Sequence, residues 1–306
     1  EIAQCLVGSE MCIRDSGKRD HTYFLSSETC ALDTVGAEFV RDVLPGEIVT
    51  ISPEKGIESD TSHVLKPADT ARCIFEYIYF ARPDSFIDGI SVYDSRILAG
   101  KFLAMDSPVD ADLVIGVPES GNCAAMGYSM QSGIPYGMGF VKNAYVGRTF
   151  IKPKQKSRES SVQVKLNPIR EAVEGKRVIM IDDSIVRGTQ LRETTEFLYQ
   201  SGAKEVHIRP ACPPLLFGCK YLNFSRSSSE MDLITRRVIK EMEQEDRQID
   251  LKNYVDPDTP EYEEMVGRIG RQLNFTTLQF QRLDDMIESV GIGRDKLCTY
   301  CWDGAQ

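Results

Sequence analysis

Two adjacent carboxylates follow a run of four apolar residues, and a short polar loop follows the carboxylates. Asp182 and Asp183 come directly after Val178–Ile181, and Ser184–Thr189 precedes a predicted helix. Neighbouring carboxylates accept hydrogen bonds from a ribose diol and attract a hard divalent cation such as Mg²⁺. The loop adds backbone N–H groups, two hydroxyls and a helix N-terminus, which suit a phosphate monoester. An isolated Asp-Asp pair would indicate only a solvated turn, but the complete string predicts a binding site.

Two further segments favour an anionic ligand. The stretch Gly116–Gly121 stands between a predicted strand and a predicted helix, so its amides can hold a second anion. An ordinary turn between a strand and a helix is the alternative, because it would have the same sequence pattern. The stretch Lys142–Pro153 and the polar run to Lys165 form a long basic loop. Such a loop in an acidic protein suits a lid over an anionic substrate, with a solvated charged loop as the alternative.

The elements that position these segments are strands alternating with helices. Between Ala111 and Pro214 we predict strands at residues 113–117, 140–141, 178–181 and 206–208, with helices from Asn122, near Ile169 and from Gln190. This alternation predicts an α/β fold with a parallel sheet and helices on both faces. Open sheets of this kind bind ligands at the carboxyl ends of their strands, where the acidic pair lies.

The flanking segments differ in pattern from this central region. Residues 1–20 show no sustained periodicity, and we interpret them as disordered or as an artefact of sequence assembly. Residues 21–65 are β-rich, with a helix predicted at 35–40, and residues 66–228 hold the βα alternation. Residues 229–306 favour two or three surface-packing helices, interrupted by Pro257 and Pro260 and ending in a Cys-x-x-Cys.

Composition excludes several classes of function. The 36 basic and 46 acidic residues argue against nucleic acid or membrane as the main partner. No apolar run reaches the roughly 20 residues of a membrane span, and the first residues lack the basic-then-apolar pattern of a secretory signal, so we expect a cytoplasmic location. Nine cysteines, an odd number, favour reduced thiols or metal ligands over a disulfide framework.

The string Val178–Thr189 is similar to the signature by which type I phosphoribosyltransferases bind phosphoribosyl pyrophosphate (PRPP). Together with Gly116–Gly121, Lys142–Pro153 and Phe75–Ser85, it makes residues 21–304 resemble the glutamine PRPP amidotransferase family. The resemblance implies the first committed step of purine synthesis, in which glutamine or ammonia, PRPP and water give 5-phosphoribosylamine, glutamate and pyrophosphate. It also implies purine nucleotides as feedback inhibitors and a homo-oligomer.

The same resemblance implies roles for individual residues. Magnesium positions match Ser120, Asp182 and Asp183. In the basic loop, Arg148 and Lys152 are our catalytic candidates, because they can stabilise the pyrophosphate leaving group in the closed lid. The residues expected to bind PRPP are Glu119, Ser120, Lys142, Tyr145, Asp182, Asp183, Ser184, Ile185, Val186, Arg187, Gly188 and Thr189.

Four cysteines match the positions at which some family members hold a [4Fe–4S] cluster. They are Cys73, Cys219, Cys298 and Cys301. Four thiolates also suit zinc, so the chemistry of the residues leaves the metal open and the family pattern favours iron and sulfur. The remaining candidates, Cys30, Cys123, Cys212 and the three histidines, are expected to be structural.

Most of the family's N-terminal glutaminase (Ntn-hydrolase) half is missing from this sequence, and residues 21–65 would be its remnant. Neither Cys5 nor Cys12 is followed by the residues expected after the glutaminase nucleophile. The chain by itself would therefore use free ammonia at best. Two alternatives are a salvage phosphoribosyltransferase that acts on a nucleobase and a regulator that binds PRPP without chemistry.

Overall fold

The computed structural model describes residues 15–66, 71–143, 166–219, 230–243 and 250–305. The chain divides into two compact units. Unit 1 comprises the described residues of Glu1–Ser95 and Val290–Cys298, and unit 2 comprises those of Arg96–Ser289 and Thr299–Gln306. Within these described ranges, no helix is long and apolar enough to cross a membrane.

The helices and strands are numbered in chain order. The strands are β1 (Asp15–Arg19), β2 (Thr22–Ser26), β3 (Glu38–Asp42), β4 (Ile48–Ser52), β5 (Gly56–Asp60), β6 (Arg72–Cys73), β7 (Phe86–Ile87), β8 (Ile90–Ser91), β9 (Leu113–Gly116), β10 (Phe140–Lys142), β11 (Leu166–Pro168), β12 (Arg177–Asp182), β13 (Glu205–Pro210), β14 (Thr277–Leu278) and β15 (Leu297–Cys298). The helices are α1 (Thr29–Thr34), α2 (Val92–Asp106), α3 (Gly121–Ser132), α4 (Arg170–Val173), α5 (Thr189–Gln200), α6 (Ile234–Glu243), α7 (Pro260–Gln272), α8 (Leu283–Val290) and α9 (Tyr300–Asp303). A π-helical turn spans Glu76–Phe80, and single 3₁₀ turns span Glu230–Asp232, Leu251–Tyr254 and Arg294–Lys296.

Unit 1 contains a three-stranded antiparallel sheet in the order β2-β1-β3. One prediction is wrong here. The helix predicted at residues 35–40 is wrong, because Glu38–Asp42 pairs with β1 and this long-range pairing outweighs local helix propensity. Residues 1–14 lie outside the described residues, and their interpretation stays a prediction; β1 starts at Asp15, and its first two side chains are buried.

Unit 2 is built on a parallel sheet in the order β14-β13-β12-β9. Side chains of β12 alternate between two cores: Val178 and Met180 pack with residues of α5, α6 and α7, whereas Ile179 and Ile181 pack with residues of α2 and α3. Because both faces are covered, the strand reads as a continuous apolar run rather than an alternating one. The structure thus confirms the predicted α/β sheet with helices on both faces.

The C-terminal segment belongs to this sheet, which the sequence did not predict. Thr277 and Leu278 pair with His207 and Ile208, so β14 is the fourth parallel strand. Helices α6 and α7 are not merely surface-packed, because their apolar faces join one core of the sheet. Nor does Pro260 interrupt a helix, since it begins α7 after the capping residue Thr259. A two-residue strand leaves too short an alternating pattern for sequence to reveal.

Candidate active site

The acidic pair lies at the carboxyl end of β12, in the middle of the sheet. Asp182 is the last residue of the strand and is buried, and its Oδ1 accepts a hydrogen bond from the N–H of Asp183 at 2.9 Å. The carboxylate of Asp183 accepts one hydroxyl on each oxygen, from Ser120 Oγ at 2.5 Å and from Ser184 Oγ at 2.6 Å. Three residues from two strand–helix connections therefore meet around one carboxylate.

The pKa values of the two carboxyls reflect this confinement. Burial, followed by the charge of Asp183, raises the pKa of Asp182 well above its ordinary value. Burial also raises the pKa of Asp183, and the hydroxyls of Ser120 and Ser184 and the charge of Arg96 oppose that rise. Two confined carboxylates that repel each other form a site where a cation is electrostatically favourable. An all-oxygen donor set of this kind fits Mg²⁺.

The connection predicted to hold the second anion runs from β9 to α3 and is packed directly on the end of β12. The N–H of Val117 donates to the carbonyl of Ile181 at 2.8 Å. A Cβ at Gly121 would lie 2.3 Å from that carbonyl oxygen and 3.2 Å from the Cα of Asp182, so only glycine fits. This close approach brings the N-terminus of α3, and Ser120 with it, to the acidic pair.

The second connection, from β12 to α5, has the form of a phosphate-binding loop. We call residues 184–188 the phosphate loop. The buried side chain of Ile185 anchors the loop in the core, and Gly188 adopts φ +77° just before α5 begins at Thr189. A Cβ at Gly188 would also meet the Cδ1 of Ile234 at 2.7 Å. The loop therefore presents its backbone amides at the N-terminus of a 12-residue helix.

Residues predicted for the lid are only partly described by the structure. Lys142 ends β10, which pairs with β11, the strand that follows the predicted lid in the sequence. The Nζ of Lys142 lies 3.6 Å from Oε1 of Glu119, so two of the predicted PRPP residues are neighbours. Tyr145, Arg148 and Lys152 lie outside the described residues, and their roles stay predictions.

The sequence did not predict one charged residue that lies near the acidic pair. Arg96 is buried in α2; burial raises the pKa values of Asp183 and of the Cys123 thiol, and the charge of Arg96 partly opposes that rise in both. The sequence carries no signal for its burial, because arginine is ordinarily exposed and only the packing of α2 in the fold buries this one.

The four cysteines predicted to hold a cluster are divided between the two units. In unit 1, Cys73 and Cys298 are register partners in the parallel pair β6 and β15, and both are half-buried. In unit 2, the carbonyl of Cys301 accepts N–H groups from Leu216 at 2.9 Å and from Phe217 at 3.1 Å, shortly before Cys219. Across the described ranges, no group of three or more His, Cys, Asp or Glu side chains is arranged to hold a metal ion.

The three cysteines predicted to be structural are buried, as is one of the three histidines, whereas His21 and His63 are exposed. Cys30, Cys123 and Cys212 are buried. His207 is also buried, with its ring nitrogens 3.0 Å from Thr277 Oγ1 and 3.0 Å from Glu205 Oε2. These contacts tie strand β13 to β14.

Comparison with known proteins gives one consistent relationship, although no family model matches the chain. The chain is 43% identical to the amidophosphoribosyltransferase of Mycobacterium tuberculosis over 94% of its own length and 50% of that protein. It is 48% identical to the amidophosphoribosyltransferase of Synechocystis over 92% of its length and 51% of that protein. It is 49% identical to that of Archaeoglobus fulgidus over 74% of its length and 49% of that protein. The chain thus spans about half the length of the curated relatives it matches.

Solved structures agree with this relationship. Glutamine PRPP amidotransferase from B. subtilis, in complex with ADP and GMP, matches with a TM-score of 0.76 and 38% identity, over 96% of this chain and 58% of that one. A structure described as the allosteric regulatory enzyme of purine biosynthesis matches with the same TM-score and identity. The predicted type I phosphoribosyltransferase fold is therefore confirmed.

Proposed function

The chain belongs to the amidophosphoribosyltransferase family, and from this premise we propose that it carries the family's phosphoribosyl-transfer chemistry. The observation that carries the proposal is the meeting of Ser120, Asp183 and Ser184 between two helix N-termini. One connection suits the pyrophosphate of PRPP, the other suits its 5-phosphate, and the carboxylates between them suit the ribose diol.

In the proposed reaction, ammonia displaces pyrophosphate at the anomeric carbon of PRPP. A new C–N bond forms as the C–O bond to pyrophosphate breaks, and the product amine loses a proton. The chain's residues bind and orient PRPP at both ends, so that an oxocarbenium-like transition state forms in place. Arg148 and Lys152 are proposed to stabilise the departing pyrophosphate. Ser120, Asp182 and Asp183 would hold Mg²⁺, which would share that negative charge when bound.

Glutamine use is proposed for the complete protein, with ammonia coming from its glutaminase half. We propose that residues 21–65 belong to that half. Supporting this, the three-stranded sheet of unit 1 leaves large apolar side chains exposed on its outer strands β2 and β3, namely Leu25, Phe39 and Val40. We also propose that purine nucleotides act as feedback inhibitors, that the complete protein is a homo-oligomer and that it is cytoplasmic. The nucleotide proposal is supported by the B. subtilis relative, whose structure contains ADP and GMP.

A [4Fe–4S] cluster at Cys73, Cys219, Cys298 and Cys301 is a further proposal. Support comes from the register pairing of Cys73 with Cys298 in unit 1 and from the backbone contacts of Cys301 in unit 2. Anaerobically purified protein should be brown and absorb in the visible, and Cys298→Ser should lose the colour while Cys212→Ala keeps it. Colourless protein with one bound zinc would instead select the alternative metal.

The experiment that tests the reaction is pyrophosphate release from PRPP with magnesium and ammonia, with a nucleobase, or with neither. We expect release with ammonia alone, and loss of at least about 100-fold in Asp183→Asn, because the variant removes a charge from the acidic pair. Asp284→Asn is the matched control, since it removes an exposed carboxylate in the first turn of α8. Release with a nucleobase would select salvage chemistry, and PRPP binding without release would select a regulator.

A further inference from the structure

Hydrogen bonds from the C-terminal part of unit 2 hold the backbone carbonyls of the phosphate loop. Two consecutive carbonyls of the loop are engaged: that of Val186 accepts the N–H of Ile234 at 2.9 Å, and that of Arg187 accepts Nη2 of Arg237 at 2.9 Å. Both donors come from α6, about 50 residues further along the chain. The loop conformation is therefore not set by its own sequence alone.

Arg237 is itself fixed by other contacts. Its Nη1 donates to the carbonyls of Met231 and Asp232, each at 3.2 Å, and both residues belong to the 3₁₀ turn that precedes α6. Asp232 in turn places its Oδ2 3.2 Å from Nη2 of Arg187. One guanidinium thus joins the turn to the loop through three carbonyl oxygens, and the neighbouring ion pair connects the same two segments.

The direction of these hydrogen bonds decides where the loop amides point. In a planar trans peptide unit, the C=O and the following N–H point in opposite directions. When the carbonyls of Val186 and Arg187 face α6, the N–H groups of Arg187 and Gly188 face away from it. Amides held in this way need no reorganisation when an anion binds.

We propose that Arg237 is a positioning residue for phosphate recognition: by holding the carbonyl of Arg187, it keeps the phosphate loop open for the 5-phosphate of the substrate. This inference rests on the proposed function, because it assigns the 5-phosphate to that loop. Arg237 does not touch the substrate. Its removal should weaken binding at this loop and leave the β9–α3 connection, which suits pyrophosphate, unaffected.

The test compares two small probes on the 306-residue chain and its variants by calorimetry, with magnesium present. Ribose 5-phosphate reports on the phosphate loop, and inorganic pyrophosphate reports on the β9–α3 connection. Arg237→Met should weaken ribose 5-phosphate binding about 10- to 100-fold, the range for losing hydrogen bonds to a charged donor, with pyrophosphate binding unchanged. Arg237→Lys should recover part of the loss, because an ammonium can still reach one carbonyl.

Arg268→Met is the matched control, since it removes the same charge and stem from α7, where Arg268 pairs with Glu264. It should bind both probes as the unchanged chain does. Equal ribose 5-phosphate affinity in Arg237→Met and the unchanged chain would overturn the inference, as would equal loss of both probes in Arg237→Met and Arg237→Lys. If the unchanged chain bound no ribose 5-phosphate, the proposed function itself would fail.

Discussion

The close approach at Gly121 makes a quantitative prediction about the site. In Gly121→Ala the new Cβ would lie 2.3 Å from the carbonyl oxygen of Ile181, 3.1 Å from its carbonyl carbon and 3.2 Å from the Cα of Asp182. All three are backbone atoms of a central strand, which cannot rotate away as a side chain can. Restoring ordinary van der Waals separation requires the first turn of α3 to move by about 1 Å.

That movement has two consequences. It would lengthen the contact between Ser120 Oγ and Asp183 Oδ2 from 2.5 Å to the limit of hydrogen bonding. Overpacking and the lost hydrogen bond together should lower the free energy of unfolding by about 2–4 kcal/mol. Pyrophosphate affinity should fall roughly 100-fold, since misplacement by 1 Å can have an effect of that size. Urea unfolding and calorimetry measure the two effects.

A second glycine provides the control for this experiment. Gly270 lies in α7, where an added Cβ would meet only the Cβ of Leu278, at 3.5 Å. Gly270→Ala should therefore stabilise the chain by up to about 1 kcal/mol through helix propensity, with pyrophosphate binding unchanged. If Gly121→Ala were as stable as Gly270→Ala and bound pyrophosphate equally well, the reasoning about backbone contact would be refuted.

Two further predictions concern the same unit. Burial and the neighbouring Asp106 raise the pKa of Asp285 to about 7, so the native state keeps a proton that the unfolded chain releases near pH 4. The free energy of unfolding should therefore fall as pH rises from about 4 to about 7, by roughly 1–2 kcal/mol after solvent screening. Urea unfolding midpoints across this pH range measure the effect. If the midpoints of Asp285→Asn fell with pH as steeply as those of the unchanged chain, the assignment to Asp285 would be contradicted. Thr277 Oγ1 lies 3.0 Å from Nδ1 of His207 and 3.1 Å from Nη1 of Arg209, two buried side chains on β13. Thr277→Val should therefore lower the free energy of unfolding by about 1–3 kcal/mol, as measured by thermal melts. An unchanged melt would show that these two contacts do not stabilise the fold.

Local chemistry explains why the sequence predicts so much of the site. The run Val178–Ile181 is apolar throughout because a central parallel strand is buried on both faces, and the acids that follow it must then lie at the sheet's carboxyl edge. The turn glycine at 188 and the helix after it are also local features. Asp182, Asp183 and the phosphate loop could therefore be placed without any knowledge of distant residues.

Other parts of the fold depend on contacts between segments far apart in sequence. The segment at 35–40 has helical propensity, but part of it pairs with β1, and the two-residue strand β14 is recognisable only beside β13. The predicted boundary at residue 228 likewise does not separate two units, because β14, α6 and α7 share a core with the central sheet.

Sequence by itself thus determined that an acidic pair and a glycine-containing loop lie at the carboxyl edge of the sheet, because residue type and spacing along one strand–loop–helix connection carry that information. Only the tertiary structure decided what holds them in place. Ser120 reaches Asp183 from 63 residues away, and Arg237 holds the carbonyl of Arg187 from 50 residues away. Such contacts leave no periodic or compositional trace, since each depends on how separate helices pack around the sheet.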